Sequence, residues 1–121
     1  MNLFFDTYAL FEIIKENKNY ACYVKGVGVI TTILNLMELH YALLREVGKE
    51  EADRHFERLL PFVVDLSNEI IKEANGFKLL NKKRKLSYID CIGYMIARSM
   101  NLKFLTGDKQ FEKLEGVEFV I

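Results

Sequence analysis

Short apolar runs alternating with longer stretches of helical periodicity constrain this chain more than any other feature. Residues 3–5, 27–31, 62–66, 103–106 and 117–121 are brief and largely apolar, and residues 27–31 are rich in β-branched side chains. Such runs suit strands buried on both faces. Between them lie segments with helical spacing: Thr7 to about Glu16, 19–25, 33–45, 49–60, Ser67 to about Asn81, Ser87 to about Met100, and a short DKQFEKL turn. Parallel strands need crossovers of this length. The expected fold is therefore α/β: a parallel sheet of about five strands flanked by helices, in a single domain over residues 1–121.

The punctuation agrees with that pattern. Gly48 ends one helix, and Pro61, the only proline, stops the amphipathic helix bearing Ala52, Phe56, Leu59 and Leu60. Ser67 reads as an N-cap, and Ser87 with Asp90 has the spacing of a capping box. Composition then removes whole classes of function. Half of the 121 residues are apolar, enough for a core without disulfides. Cys22 and Cys91 stand far apart with no metal-ligand spacing, and seventeen basic side chains balance seventeen acidic ones. No apolar run approaches a membrane span, and NLFF follows Met1 directly, so a cytoplasmic domain is expected. No phosphate-cradling glycine loop and no G-x-S-x-G elbow occur.

What remains is a set of acids. Asp6 and Asp108, two of only five aspartates, each directly follow an apolar strand and begin a helix. Residues just past the carboxyl ends of parallel strands line ligand crevices, but aspartate also simply caps helices there. Asp90 has the same two readings at the first turn of an apolar helix. Glu38 lies within ILNLMELHYALL, either on a narrow solvent stripe with Asn35 and Arg45 or as a partly buried carboxylate. His40 and His55 sit on different helices with no partner at ligand spacing. Four carboxylates without histidine or cysteine favour Mg²⁺ or Mn²⁺ over zinc, and point toward metal-assisted phosphodiester hydrolysis.

Four local patterns, FFDTYAL, LNLMELHYAL, LSYIDCIGYMIAR and FLTGDKQFEKL, occur in that order along the chain. Together they resemble PIN-domain ribonucleases, in particular the small VapC-like toxins of bacterial and archaeal toxin–antitoxin pairs. The resemblance implies a three-layer sandwich and a metal-dependent endoribonuclease. In it Asp6, Glu38, Asp90 and Asp108 are the catalytic and metal-binding acids, holding one or two Mg²⁺ or Mn²⁺ ions. Thr7 and Thr106 would orient carboxylates, or else satisfy turn backbone. Gly107 departs from the pattern, standing where the family often carries a larger polar residue, and is expected to loosen that turn. The basic run Lys82, Lys83, Arg84 and Lys85 would border the crevice and meet RNA phosphates, or complement the end of the preceding helix dipole. The implied partners are RNA, a small antitoxin and a second copy of the chain. For the two protein partners the aromatics Phe4, Tyr8, Phe11, Tyr20 and Tyr23 offer a surplus. The rival reading is a non-catalytic RNA-binding or assembly module of the same fold.

Overall fold

A computed structural model describes all 121 residues. The elements run β1 (Asn2–Phe5), α1 (Thr7–Ile14), β2 (Gly28–Ile30), α2 (Ile33–Glu46), α3 (Lys49–Leu59), α4 (Asn68–Leu80), α5 (Tyr88–Ser99), β3 (Lys103–Thr106) and β4 (Val117–Phe119). Short 3-10 turns at Lys18–Tyr23, Leu60–Phe62, Lys82–Arg84 and Lys109–Phe111 join them. All strand pairs are parallel, in the order β2-β1-β3-β4.

Alternation along the strands splits the core into two layers. Leu3, Phe5 and Leu105 pack on one face with residues of α1, α2 and α3, whereas Phe4 and Phe104 pack on the other with α4 and α5. The Phe4 and Phe104 rings stack with centroids 5.4 Å apart. Helices thus cover both faces, the arrangement expected of largely apolar parallel strands. No helix is long and apolar enough to cross a membrane.

The sheet has four full strands, close to the expected five. Residues 62–66 contribute a single parallel bridge, Thr31 to Val63, held by Thr31 N–H to Phe62 O at 3.1 Å and Val64 N–H to Thr31 O at 3.0 Å. The reason is local. β2 stops at Ile30 because Thr32 already caps α2, and on the other side Pro61 holds a 3-10 turn while Ser67 caps α4. Neither partner stays extended long enough to pair further.

The early aromatics are mostly spent inside. Phe4, Tyr20 and Tyr23 are buried, and Tyr8 and Phe11 pack against the core. Exposed apolar side chains lie elsewhere, among them Ile33, Met37, Tyr41 and Leu44 on α2 and Ile71, Leu79 and Leu80 on α4.

Candidate active site

The chain leaves β1 toward β2 on one side and returns to β3 on the other. Between β1 and β3 the connections diverge, leaving a crevice at the carboxyl ends of the strands. Asp6 follows β1 there, and Gly107 and Asp108 follow β3. A cavity of about 580 Å³ opens at this point. Asp6, Glu38, Asp90 and Asp108 all line it, with Thr7, Tyr8, Ser87, Gly107 and Lys109.

For three of the acids, capping and cavity lining are one arrangement. Asp6 Oδ1 accepts the Ala9 N–H at 2.8 Å, capping α1. Asp90 completes a capping box with Ser87, each bond 3.0 Å long, and Asp108 Oδ1 accepts the Gln110 N–H at 2.9 Å. The caps fix the side-chain directions at the crevice. They also leave Asp90 Oδ1 and Asp108 Oδ2 without a protein donor. Thr106, fully buried at the end of β3, donates its hydroxyl to Asp6 Oδ2 and accepts the Asp108 N–H at 3.0 Å. One hydroxyl thereby ties two acids from different strands.

Glu38 is held by a buried polar chain that starts at a helix cap. Thr32 donates to Asn35 Oδ1 at 2.6 Å, and Asn35 Nδ2 donates to Thr7 Oγ1 at 3.2 Å. Thr7 then donates its one proton to Glu38 Oε1 at 2.7 Å, with the Asn35 carbonyl more distant at 3.4 Å. Each donor leaves the next group only its own proton to pass on, so the chain has one direction and ends on the carboxylate. Asn35, only 2% exposed, is therefore not on a solvent stripe. It sits one turn before Glu38 on the same helix face, a spacing visible in the sequence. Glu38 itself is half-buried, with Oε2 free of protein donors.

Gly107 does not loosen its turn. A Cβ there would lie 2.1 Å from Tyr8 Cε1 and 2.5 Å from the Val120 carbonyl oxygen. Tyr8 fills the space, so the residue is glycine for want of room. The basic run Lys82, Lys83, Arg84 and Lys85 stays outside the cavity, with Arg84 donating to the Gln110 carbonyl at 3.4 Å. The cation on the cavity wall is Lys109, which sequence patterning does not single out.

Burial pushes the Asp6 carboxyl up to about 7, and the charges of Asp90 and Asp108 add to the rise against the Thr106 and Ala9 hydrogen bonds. Burial likewise raises Asp90, with Asp108 contributing and the Ser87 bonds opposing. A cluster that resists full ionisation gains from a cation. The donors are all oxygens, which suits a hard divalent ion such as Mg²⁺ or Mn²⁺. No three His, Cys, Asp or Glu side chains converge into a finished ligand set, each acid being drawn to its own cap or hydroxyl.

The profile of the PIN-domain family matches residues 3–117. The chain belongs to the PIN-domain family. Solved structures similar to this PIN domain include VapC20 of Mycobacterium tuberculosis, described as a sarcin–ricin loop cleaving toxin. It is 18% identical over 98% of this chain and 99% of that one, with a TM-score of 0.82. VapBC2 of Rickettsia felis, bound to a promoter DNA fragment, is 17% identical over the whole of both chains, TM-score 0.73. VapBC-1 of nontypeable Haemophilus influenzae is 19% identical over 98% of this chain and 96% of that one, TM-score 0.73. At these identities the likeness is one of fold. No curated protein matched by sequence.

Proposed function

We propose that this PIN domain is a Mg²⁺- or Mn²⁺-dependent endoribonuclease and the toxin of a toxin–antitoxin pair. The observation that carries the reading is the meeting of Asp6, Glu38, Asp90 and Asp108 in one cavity at the switch point of the sheet. Those four side chains would hold the ion. When bound, it supplies Lewis-acid charge at the phosphate and a water of lowered pKa. The protein supplies position. Thr106 keeps Asp6 and Asp108 in register, and the Thr32–Asn35–Thr7 chain keeps Glu38 aimed. Lys109 offers a cation to the phosphate from the cavity wall. Lys82, Lys83, Arg84 and Lys85 add attraction for the RNA backbone from outside the cavity.

RNA as substrate and an antitoxin as partner are supported by the similar structures, one described as a loop-cleaving toxin and two as VapBC pairs. The exposed apolar stripe of α2 offers a surface for an antitoxin or a second copy. The rival, a non-catalytic module, has one observation in its favour: the acids do not form a finished ligand set.

One experiment separates the two. Purified protein incubated with total tRNA and ribosomal RNA should produce discrete cuts in Mn²⁺ and none in EDTA, and millimolar Mn²⁺ should raise its melting temperature. Cleavage that resists EDTA and survives Asp6→Asn would overturn the nuclease reading. Protein that neither cuts nor responds to Mn²⁺ would favour the module.

A further inference from the structure

A second cleft of opposite character adjoins the acidic cavity. Leu86, Ser87 and Tyr88 are consecutive, and Ser87 is extended, with φ −75° and ψ 168°. Side chains along extended backbone alternate in direction. Accordingly Ser87 lines the acidic cavity, while Leu86 and Tyr88 line the neighbouring cleft of about 390 Å³. The wall between the two is this single strand of chain.

The cleft contains no carboxylate. Tyr88 is 66% exposed, and its ring is steadied on one side by the Lys78 ammonium, 4.9 Å from the ring centroid. Lys78 is itself tethered by a hydrogen bond to the Leu86 carbonyl. Asn81 spends its amide N–H on Phe77 O at 2.9 Å, leaving Oδ1 as an acceptor. The Asn75 amide and the Lys82 ammonium line the cleft as well, and neither is engaged by another side chain.

A planar ring backed by a fixed cation, two amides with free hydrogen-bonding atoms and an unpaired ammonium recognise one ligand class well. A base stacks on the ring, the amides read its edge, and the ammonium meets the phosphate. A small apolar ligand would leave the amides and ammonium unsatisfied, and an acidic peptide would leave the ring unused. Building on the nuclease reading, we propose that this cleft seats an unstacked nucleobase of single-stranded RNA beside the phosphate being cut, with Tyr88 as the stacking platform. Tyr88, Asn75 and Asn81 would then set base preference next to the cut, while the acidic cavity does the chemistry.

The test measures binding without cleavage. In EDTA, single-stranded RNA hexamers carrying one 2-aminopurine are titrated with the wild type, Tyr88→Leu, Tyr88→Phe and Asp65→Asn. Stacking on an aromatic side chain quenches that probe. Wild type and Asp65→Asn should bind and quench alike, and Tyr88→Phe should retain both effects. Tyr88→Leu, on the surface and expected to melt as the wild type does, should weaken binding about tenfold or more and lose the quench. In Mn²⁺ it should raise KM with kcat nearly unchanged. Wild type that cuts RNA while Tyr88→Leu binds, quenches and cuts equally well would overturn the base site and leave the nuclease intact. The base site falls equally if Tyr88→Leu alters only self-association in sedimentation, which would make the patch a protein contact. Wild type that neither cuts nor binds these RNAs would overturn the nuclease reading, and this site with it.

Discussion

Two segments of this protein look alike in sequence and end up in different surroundings. LFF followed by Asp6 and FVV followed by Asp65 are both apolar runs closed by an aspartate. The first is one of the two inner strands of the sheet, paired on both sides, with Phe5 fully buried and Asp6 only 4% exposed. The second touches the sheet through one bridge; Val63 and Val64 are half-buried and Asp65 is exposed. What separates them lies far away in the chain. β1 is flanked by partners about 26 and 100 residues later, whereas residues 62–66 meet a strand that has already turned into a helix. An aspartate at a strand end becomes chemically unusual only when the strands beside it bury it and deliver other acids.

The largest expected contrast is in activity. Asp6→Asn should reduce RNA cleavage about 1,000-fold or more, as should Glu38→Gln, Asp90→Asn and Asp108→Asn, while Asp65→Asn stays within about twofold. Single-turnover rates on one RNA decide it, and equal losses at Asp6 and Asp65 would place the chemistry elsewhere. Close behind comes stability. Phe5→Ala should cost about 3–5 kcal/mol in urea melts, whereas Phe62→Ala, 39% exposed in the wild type, should cost about 1 kcal/mol.

The pH dependence should differ as well. Asp6 has a folded pKa of about 7, raised mainly by burial. A raised folded pKa penalises folding once pH exceeds the unfolded value near 4, and the penalty is full above about 7. In EDTA, Asp6→Asn should therefore stabilise the protein by roughly 2–4 kcal/mol at pH 8, with the gain disappearing toward pH 4. Thermal melts across that range check the sign, and a gain that grew on acidification would contradict it.

The smallest effect concerns what aims the acids. Asn35→Leu and Thr7→Val should each lower the cleavage rate about 10–100-fold, and the double variant should lose little more than either alone. Thr7→Ser, which keeps the hydroxyl, should restore most of the rate. Full additivity would show that Asn35 acts through packing and not through Glu38.

The contrast between Asp6 and Asp65 also explains what is legible in the sequence. β1, β2, β3 and β4 are readable because each carries a short, largely apolar run bounded by turn or cap residues. The segment 62–66 carries the same signal, but the early exit of β2 at Thr31, a feature of its neighbour, helps deny it a full partner. The four acids stand out because they fall at strand ends or within apolar helices. Asn35 reads as a solvent-stripe residue because helical spacing alone does not show which flank of α2 meets Thr7. Gly107 is explained only by the approach of Tyr8, and Lys109 only by the shape of the cavity. Both depend on contacts between segments about 100 residues apart in the chain.

The hydroxyl bridge from Thr106 to Asp6 joins residues separated by 100 positions. A ribosome adding about 5–20 residues per second needs roughly 5–20 s to travel between them. Through that interval the middle strand of the sheet waits without its later neighbour, and the four carboxylates have no common place to meet. If they cut RNA as proposed, the growing chain is inert toward the messenger that encodes it. The catalyst comes into being only when β3 closes on β1, so manufacture and activity are separated in time by topology alone.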